Sequence, residues 1–488
     1  MFLPKERAFK SNYILLFAHI VVPLQAFSKI IFLMHRFLFF LFFYFFIFLF
    51  SLSAHGFTTA GNGKTYSFAQ LAETEGTGVR FVDGCYIVEQ NDTIAAGDTF
   101  QLDENTTVKF ADRVTFVIQG EARLNVNGQP TTLTRLDESA TPYSIKIDNE
   151  HGAEVGNVVF EYLGLETVSR GATHVANTTF RNHNGSSAAA LYFIASGQPS
   201  TISHCTFEKC QKAAIGSSAN ASQPLTIQHC TLLRNSTRNG NIPQINITAS
   251  RLLIDDCLIE GDPASLTANN MVGGIGISNF AGFTDTQTTI TNCTISHNRY
   301  GIGTVGPVDI RIDGNTIRDN NHEANPMNGG SGISLYDPYQ KTTAVIANNI
   351  IEGNHWGVTI IGCKDVNLGQ PSNQATLSPG GNKFSRNGCL GQLYDLYNNS
   401  RLTVYAQNNT WGVDQQTEEM IETVIFHQAD DEKLGPVIFM PANHDASAIP
   451  ALTQPTHPTA HVYDLKGRKT QSVSAHGIYI RDGKKFFR

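Results

Sequence analysis

Apolar and polar positions along this chain repeat with a period far longer than any helix turn or single strand. A short phrase recurs ten times: an apolar residue, a two-residue break, a small or polar residue, then another apolar residue two positions on. With the small or polar residue as position zero, the phrase centres on Val158, Thr178, Cys205, Cys230, Cys257, Cys293, Asn315, Asn349, Asn382 and Asn409. Position minus three holds Val155, Val175, Ile202, Ile227, Ile254, Ile290, Ile312 and Ile346, and only Pro379 and Ala406 leave the β-branched pattern. Position plus two holds Phe160, Phe180, Phe207, Leu232, Ile259, Ile295, Ile317, Ile351, Phe384 and Trp411. Position plus five repeats Asn235, Asn298, Asn320, Asn354 and Asn387.

Units of 20 to 36 residues with alternation inside each unit are the pattern of a coiled solenoid. Strands this short gain stability by stacking each unit on its predecessor, which pairs them in parallel and buries one continuous interior. Positions minus three and zero would face opposite sides of a straight strand, so a bend lies between them, and zero and plus two then both point inward. A further strand follows in most units, often after glycine, as at Gly274-Ile275, Gly301-Ile302, Gly332-Ile333 and Gly357-Val358. Glycine there is expected to serve a corner of positive φ. The repeated Asn side chains are expected to form ladders along the axis, each amide bonding backbone and the next amide.

These motifs resemble the PbH1-type repeat. Over residues 151–415 the chain is similar to the right-handed parallel β-helices of the pectate-lyase-like superfamily. The resemblance implies an all-β solenoid with capped ends, but not a reaction, because one solenoid hosts lyases, hydrolases, epimerases and non-catalytic adhesins.

Around the repeats the chain divides further. Residues 37–50 are an unbroken apolar run after Met34-His35-Arg36 and before Ser51-Leu52-Ser53-Ala54, the order of a secretory signal. Residues 1–54 therefore read as a signal region with its start at Met34, and 55–150 as an N-terminal cap and first coils. The helix and cap extend over 151–440, with a linker at 441–460 rich in Pro, Ala, Thr and His. Residues 461–488 carry two short strands around an Asp-Gly turn and resemble the end of type IX secretion sorting domains. That resemblance implies secretion machinery as a partner and a secreted or cell-surface location.

Charged residues make up 16% of the chain and the net charge of −7 is diffuse, so no basic stripe points to nucleic acid. The expected state is a monomer without cofactor or metal. Half of the 8 cysteines share the inward column with Thr and Asn, in parallel positions poorly suited to disulfides, and read as core thiols.

Candidate chemistry gathers beside two long inserts, 262–273 and 319–331. Arg299 and His322 are the candidates for base or charge stabiliser. Tyr300, Glu323, Tyr336, Asp337, His355 and Trp356 are the candidate substrate contacts, since aromatic rings and hydrogen-bonding groups suit sugar faces and hydroxyl edges. By offset, Tyr300, His322 and Trp356 should align on successive coils. If the groove is catalytic, a polysaccharide lyase is the class these residues fit, with a base and a cation for the enolate. No cluster of calcium-binding carboxylates is visible, and Asp255-Asp256 lacks the setting of a polygalacturonase-like pair. Tyr336-Asp337-Pro338-Tyr339 matches the Asp-Pro-His-Asp of alginate epimerases only in part. Two readings follow: a protein that binds or processes polysaccharide along a groove, or a non-catalytic adhesin or scaffold.

Overall fold

The computed structural model describes residues 56–443, with short gaps at 126, 196, 220, 222, 249–250, 265–269, 281, 283–285 and 371–377, and four strands beyond residue 461. The expected signal segment and most of the expected linker lie outside the described residues.

Three long sheets of 14, 13 and 13 strands run the length of a parallel β-helix, each strand pairing in parallel with its equivalent in the neighbouring coils except for the antiparallel hairpin Val79–Val82 and Cys85–Val88 that opens one sheet. The predicted columns hold. In register stand Val155, Val175, Ile202, Ile227, Ile254, Ile290, Ile312 and Ile346, all but removed from solvent. Phe160, Phe180 and Phe207 stack face to face inside, with centroids 4.7 and 4.9 Å apart. These spacings match the roughly 4.8 Å between neighbouring strands.

The bend before position zero has a single cause. Position minus one is left-handed in all ten units: Asn157, Asn177, His204, His229, Asp256, Asn292, Gly314, Asn348, Gly381 and Asn408, with φ between 47 and 78°. Asn, Asp and Gly tolerate that region best, which accounts for most of this column. Glycine before the next strand has a different reason from the one expected. Gly274, Gly301, Gly332 and Gly357 are not at positive φ. Instead, a Cβ there would sit 2.3 to 2.9 Å from a carbonyl oxygen of the next coil. Close stacking of coils, not backbone handedness, excludes side chains at these four positions.

Two hydrogen-bonded ladders run inside. At position zero, Asn315 Nδ2 donates to Asn349 Oδ1 at 3.0 Å, Asn349 to Asn382 at 2.9 Å, and Asn382 to Asn409 at 2.9 Å. Each of the first three amides also reaches the position-minus-three carbonyl of the coil before it, at 2.9 Å. The thiols of Cys230, Cys257 and Cys293 reach the same carbonyl at 3.6 to 3.8 Å. Thiol and amide are thus interchangeable donors at one site, and all eight cysteines are free. At position plus five the ladder runs Asn235, Gln244, Asn298, Asn320, Asn354, Asn387, Asp395, every amide donating toward the C-terminal end. Gln244 supplies the rung for the coil of Cys257, where position plus five is Asp262.

Both ends are capped. Helix Phe68–Ala72, with a capping box between Ser67 and Gln70, buries Phe68 and Leu71 over the first coil. At the other end Trp411 is fully buried against Phe384, 5.0 Å away, beside helix Glu418–Glu422 and strand Val437–Ile438. Within that cap Glu422, His427 and Asp430 cluster closely enough to suggest a metal. Hydrogen bonding argues otherwise: His427 Nδ1 accepts from Val437 N–H at 2.8 Å, so Nε2 carries the proton and donates to Glu422 at 2.8 Å. The ring is a neutral strut with no lone pair left for an ion. The final strands, Val462–Asp464, Lys469–Thr470, Ile478–Arg481 and Lys484–Phe487, form a separate antiparallel sheet, the last pair flanking Asp482-Gly483.

Candidate functional site

Outward positions of one sheet form the floor of a long groove. Alternation sends every second residue of each strand to the surface, and the parallel register lines these residues up. One outward row runs Asn246, Gly276, Gly303, Ser334, Thr359, Tyr397, Phe426. Beside it runs Thr248, Ser278, Val305, Tyr336, Ile361, Asn399. Two hollows of about 460 Å³ each lie over these rows and meet at Asn328, Gly329, Ser331 and Ser334, which line both.

The first half is built around Tyr300. Its ring lies so close over Gly273 and Gly303 that a Cβ would approach it to 2.1 and 2.8 Å, and its hydroxyl lies 3.3 Å from a Cβ at Gly276. Glycine at these three places makes the slot in which the ring sits. Burial pushes the Tyr300 phenol up to about 12, against the opposing pull of Arg299, so it is a proton donor at neutral pH. Arg299 forms the wall. Its Nε donates to Asn328 O at 2.7 Å, Nη2 donates to the same carbonyl, and Nη1 donates to Asn241 Oδ1 at 2.7 Å. One guanidinium thereby ties two loops over the floor, using the planar fork that distinguishes Arg from Lys.

The second half is aromatic. Trp356 lies 4.5 Å from Tyr394 and 5.6 Å from Tyr397, centroid to centroid, and Tyr397 meets Phe426 edge-on at 5.1 Å. The indole N–H donates to Pro326 O at 2.9 Å, which fixes the ring. Met327, 82% exposed, and Phe280, 77% exposed, stand at the rims of the two halves.

Of the sequence-derived candidates, Arg299, Tyr300, Tyr336 and Trp356 line this groove. The other four do not. His322 is buried, edge-on to His297 at 5.4 Å. The carboxylate of buried Glu323 accepts the Asn325 N–H at 3.0 Å, and His355 Nε2 donates to the Glu323 carbonyl at 2.9 Å. These three residues hold the insert 319–331 from behind, while its far part, Pro326 to Gly329, forms groove wall. The expected alignment of His322 with Tyr300 and Trp356 fails because the chain leaves the coil for the insert first. Ser331, at the return, takes the place in register with Trp356. Asp337 is fully buried beneath the turn it caps, accepting N–H bonds from Tyr339, Lys341 and Thr342 at 2.9, 2.7 and 2.6 Å. Burial opposes its ionisation, but those bonds outweigh it and hold the carboxyl below its ordinary range. Tyr394, Tyr397 and Phe426 were not anticipated. They lie beyond the inserts, in closing coils where the repeat is irregular, and alternation in Leu396-Tyr397-Asn398-Asn399, which turns Tyr397 outward, was the available signal.

Among the described residues lining both halves there is no Asp, Glu or His, and Arg299 is the only charged side chain. The site therefore offers stacking faces, hydroxyl and amide groups, and one cation, but no pair of carboxylates to act as acid and base.

Comparison with known proteins bears on the architecture. A family model described as a right handed beta helix region matches residues 243–410. Similar solved structures include the periplasmic alginate epimerase AlgG, at 9% identity over 77% of this chain and 83% of that one, with a TM-score of 0.40. Pectate lyase Pel9A is another, at 15% identity over 61% of this chain and 69% of that one, with a TM-score of 0.21. The comparison with curated proteins finds no match. The matched segment and the three continuous parallel sheets make this chain a right-handed parallel β-helix protein.

Proposed function

We propose that this protein holds a linear polysaccharide along the groove and that binding, rather than hydrolysis, is what the groove is built for. The observation that carries the reading is the run of four rings, Trp356, Tyr394, Tyr397 and Phe426, next to a polar floor in which no described residue is a carboxylate. Sugar rings present apolar faces to aromatics and hydroxyl edges to amides, and both surfaces are laid out here along one axis. The channel is open along the sheet, as a chain longer than a few sugars requires. Export to the cell surface fits this reading: the 37–50 segment would direct secretion and the 461–488 tail would engage the sorting machinery. No helix among the described residues is long and apolar enough to cross a membrane.

The test is a panel of neutral and acidic polysaccharides incubated with the purified protein, read for retention, new reducing ends and unsaturated products. The expected result is retention of at least one glycan with no new ends. Unsaturated products that vanish in Tyr300→Phe or Arg299→Gln would replace the binding reading with a lyase, since a phenol and a guanidinium are the groups for proton transfer and enolate charge. No retention by any glycan would leave the rod as a scaffold. Cleavage is checked separately, by N-terminal sequencing of the mature chain and by secretion after removal of 461–488.

A further inference from the structure

At the C-terminal side of the groove a third hollow, of about 470 Å³, opens between turns of successive coils. It is lined by Gln340 from one turn, Gly362 to Lys364 from the next, and Asn399 to Leu402 from the third. It is continuous with the aromatic half: Asn399 lines both, and Ile361 of one adjoins Gly362 of the other. Its chemistry differs from the groove's. Two cations, Lys364 and Arg401, face it with the polar Gln340, Asn399 and Ser400, and no acidic residue lines it. The salt bridges found among the described residues involve neither cation. Of the nearby carboxylates, Asp365 follows Lys364 in the chain, on the exposed side of its strand, and Asp430 and Asp431, in the next turn along the axis, accept the backbone N–H groups of His427 and Lys433. Asp337 lies beneath, saturated by the backbone N–H groups of its own turn.

We infer that this hollow is a subsite for an anionic substituent, a sulfate ester or a carboxylate, carried to the side of the polysaccharide that the aromatic half holds. Two cations that line one polar recess, with no ion-pair partner among the described residues, are the arrangement that charge-assisted hydrogen bonding to such a group needs. The location adds geometry: the hollow lies beside the row of Tyr336, Ile361 and Asn399, off the axis of the groove. The anion is therefore pendant from the ligand chain and falls at the turns, while the sugar ring that bears it stacks near Tyr397. This inference rests on the groove reading above.

The experiment measures binding of three probes, a neutral β-glucan, the same glucan sulfated, and a polyuronate, to wild type, Lys364→Gln/Arg401→Gln and Trp356→Ala. Lys364 and Arg401 are exposed, so the double variant keeps the fold. The sulfated glucan or the polyuronate should bind at least about tenfold tighter than the neutral glucan, on the scale of one or two charge-assisted bonds. The double variant should erase that gain and its salt dependence, leaving neutral binding in place. Which acidic probe shows the gain identifies sulfate or carboxylate. Equal affinity for neutral and acidic probes, or a gain untouched by the double variant, overturns the subsite. If Trp356→Ala weakens binding while the double variant changes nothing, the subsite fails and the groove stands. If no probe binds, both fall.

Discussion

The coils up to Cys205 and the coils from Cys230 onward solve the same interior problem in different ways. In the coils of Val158, Thr178 and Cys205 position plus five is Leu163, His183 or Cys210, and among the described residues none of these side chains bonds a side chain in the next coil. From Asn235 onward an amide ladder runs at position plus five to the buried carboxylate of Asp395, and from Asn315 onward a second runs at position zero to Asn409. Thiols fill volume and make long, weak contacts. Amides add a directional bond from each coil to the next, and each amide left alone in that interior would be costly. The groove lies almost entirely over the amide-knit coils. An open surface carrying long inserts stands where the coils beneath are joined by side chains as well as by backbone.

Four substitutions test that contrast, in falling order of effect. Ile290→Asp, in the inward stack that both regions share, should prevent folding or cost more than about 5 kcal/mol, because it leaves a charge in a fully apolar stack. Circular dichroism and denaturant midpoints would show it, and a fold unaffected by this charge would remove the basis of the solenoid core.

Asn320→Leu is the sharper probe of the ladder. Asn320 donates to Ile295 O and Asn354 Oδ1 and accepts from the backbone and side-chain amides of Asn298. Stranding these partners should cost about 3 to 5 kcal/mol, at roughly 1 to 3 kcal/mol for each unsatisfied buried group. A loss below about 1 kcal/mol would mean the amides are passive filler.

The end of that ladder should give the region a pH dependence opposite in sign to that of buried His183 in the earlier coils, whose lowered folded value makes stability fall as pH drops below 6.5. Burial pushes the Asp395 carboxyl up to about 6 from 3.8, despite hydrogen bonds from Asn387 and Gly412 that favour its charge. With the folded value raised, the folded state holds the proton more tightly than the unfolded chain. The contribution is fully present below pH 3.8 and is lost as pH rises through about 6. A shift of about two units corresponds to about 3 kcal/mol. The difference in denaturant midpoint between wild type and Asp395→Asn should carry this slope between pH 4 and 7. An unchanged slope in the variant would assign it to other groups.

His183 is the counterpart in the earlier coils. It is fully buried, burial pushes it down to about 3, and neither ring nitrogen has a hydrogen-bond partner among the described residues. Above pH 6.5 a neutral ring without partners contributes volume alone, so at pH 7 His183→Leu should change stability by less than about 1 kcal/mol or raise it. A loss comparable to Asn320→Leu would show that polar knitting extends through both regions.

Much of this was legible in the chain, and the reasons for the rest are physical. The inward stacks were readable because Ile290 and its equivalents keep one offset, and an inward residue sees the same neighbours in every coil. The left-handed corner was also present, in Asn157, Asn177, Asn292, Asn348 and Asn408, though it is a backbone property that offsets do not reveal. Gly274 and its equivalents were attributed to the corner because a carbonyl in the next coil is invisible in one dimension. At the site, Tyr300 and Trp356 were found because they adjoin regular strands. His322 was misplaced because counting from position zero fails once an insert leaves the coil. Gln244 and the Tyr397–Phe426 pair were missed for the same reason: register, not spacing, brings them into line.

The most direct measurement is the affinity of wild type and Trp356→Ala for a polysaccharide retained in the panel, by calorimetry on protein shown to be folded. Trp356 is half-buried at the surface of the second half of the groove, so its loss should leave the denaturant midpoint nearly unchanged. The account predicts binding by wild type that weakens by about 1 to 3 kcal/mol in the variant, on the scale of burying a large aromatic face against the ligand. Equal affinity of the two proteins would contradict it.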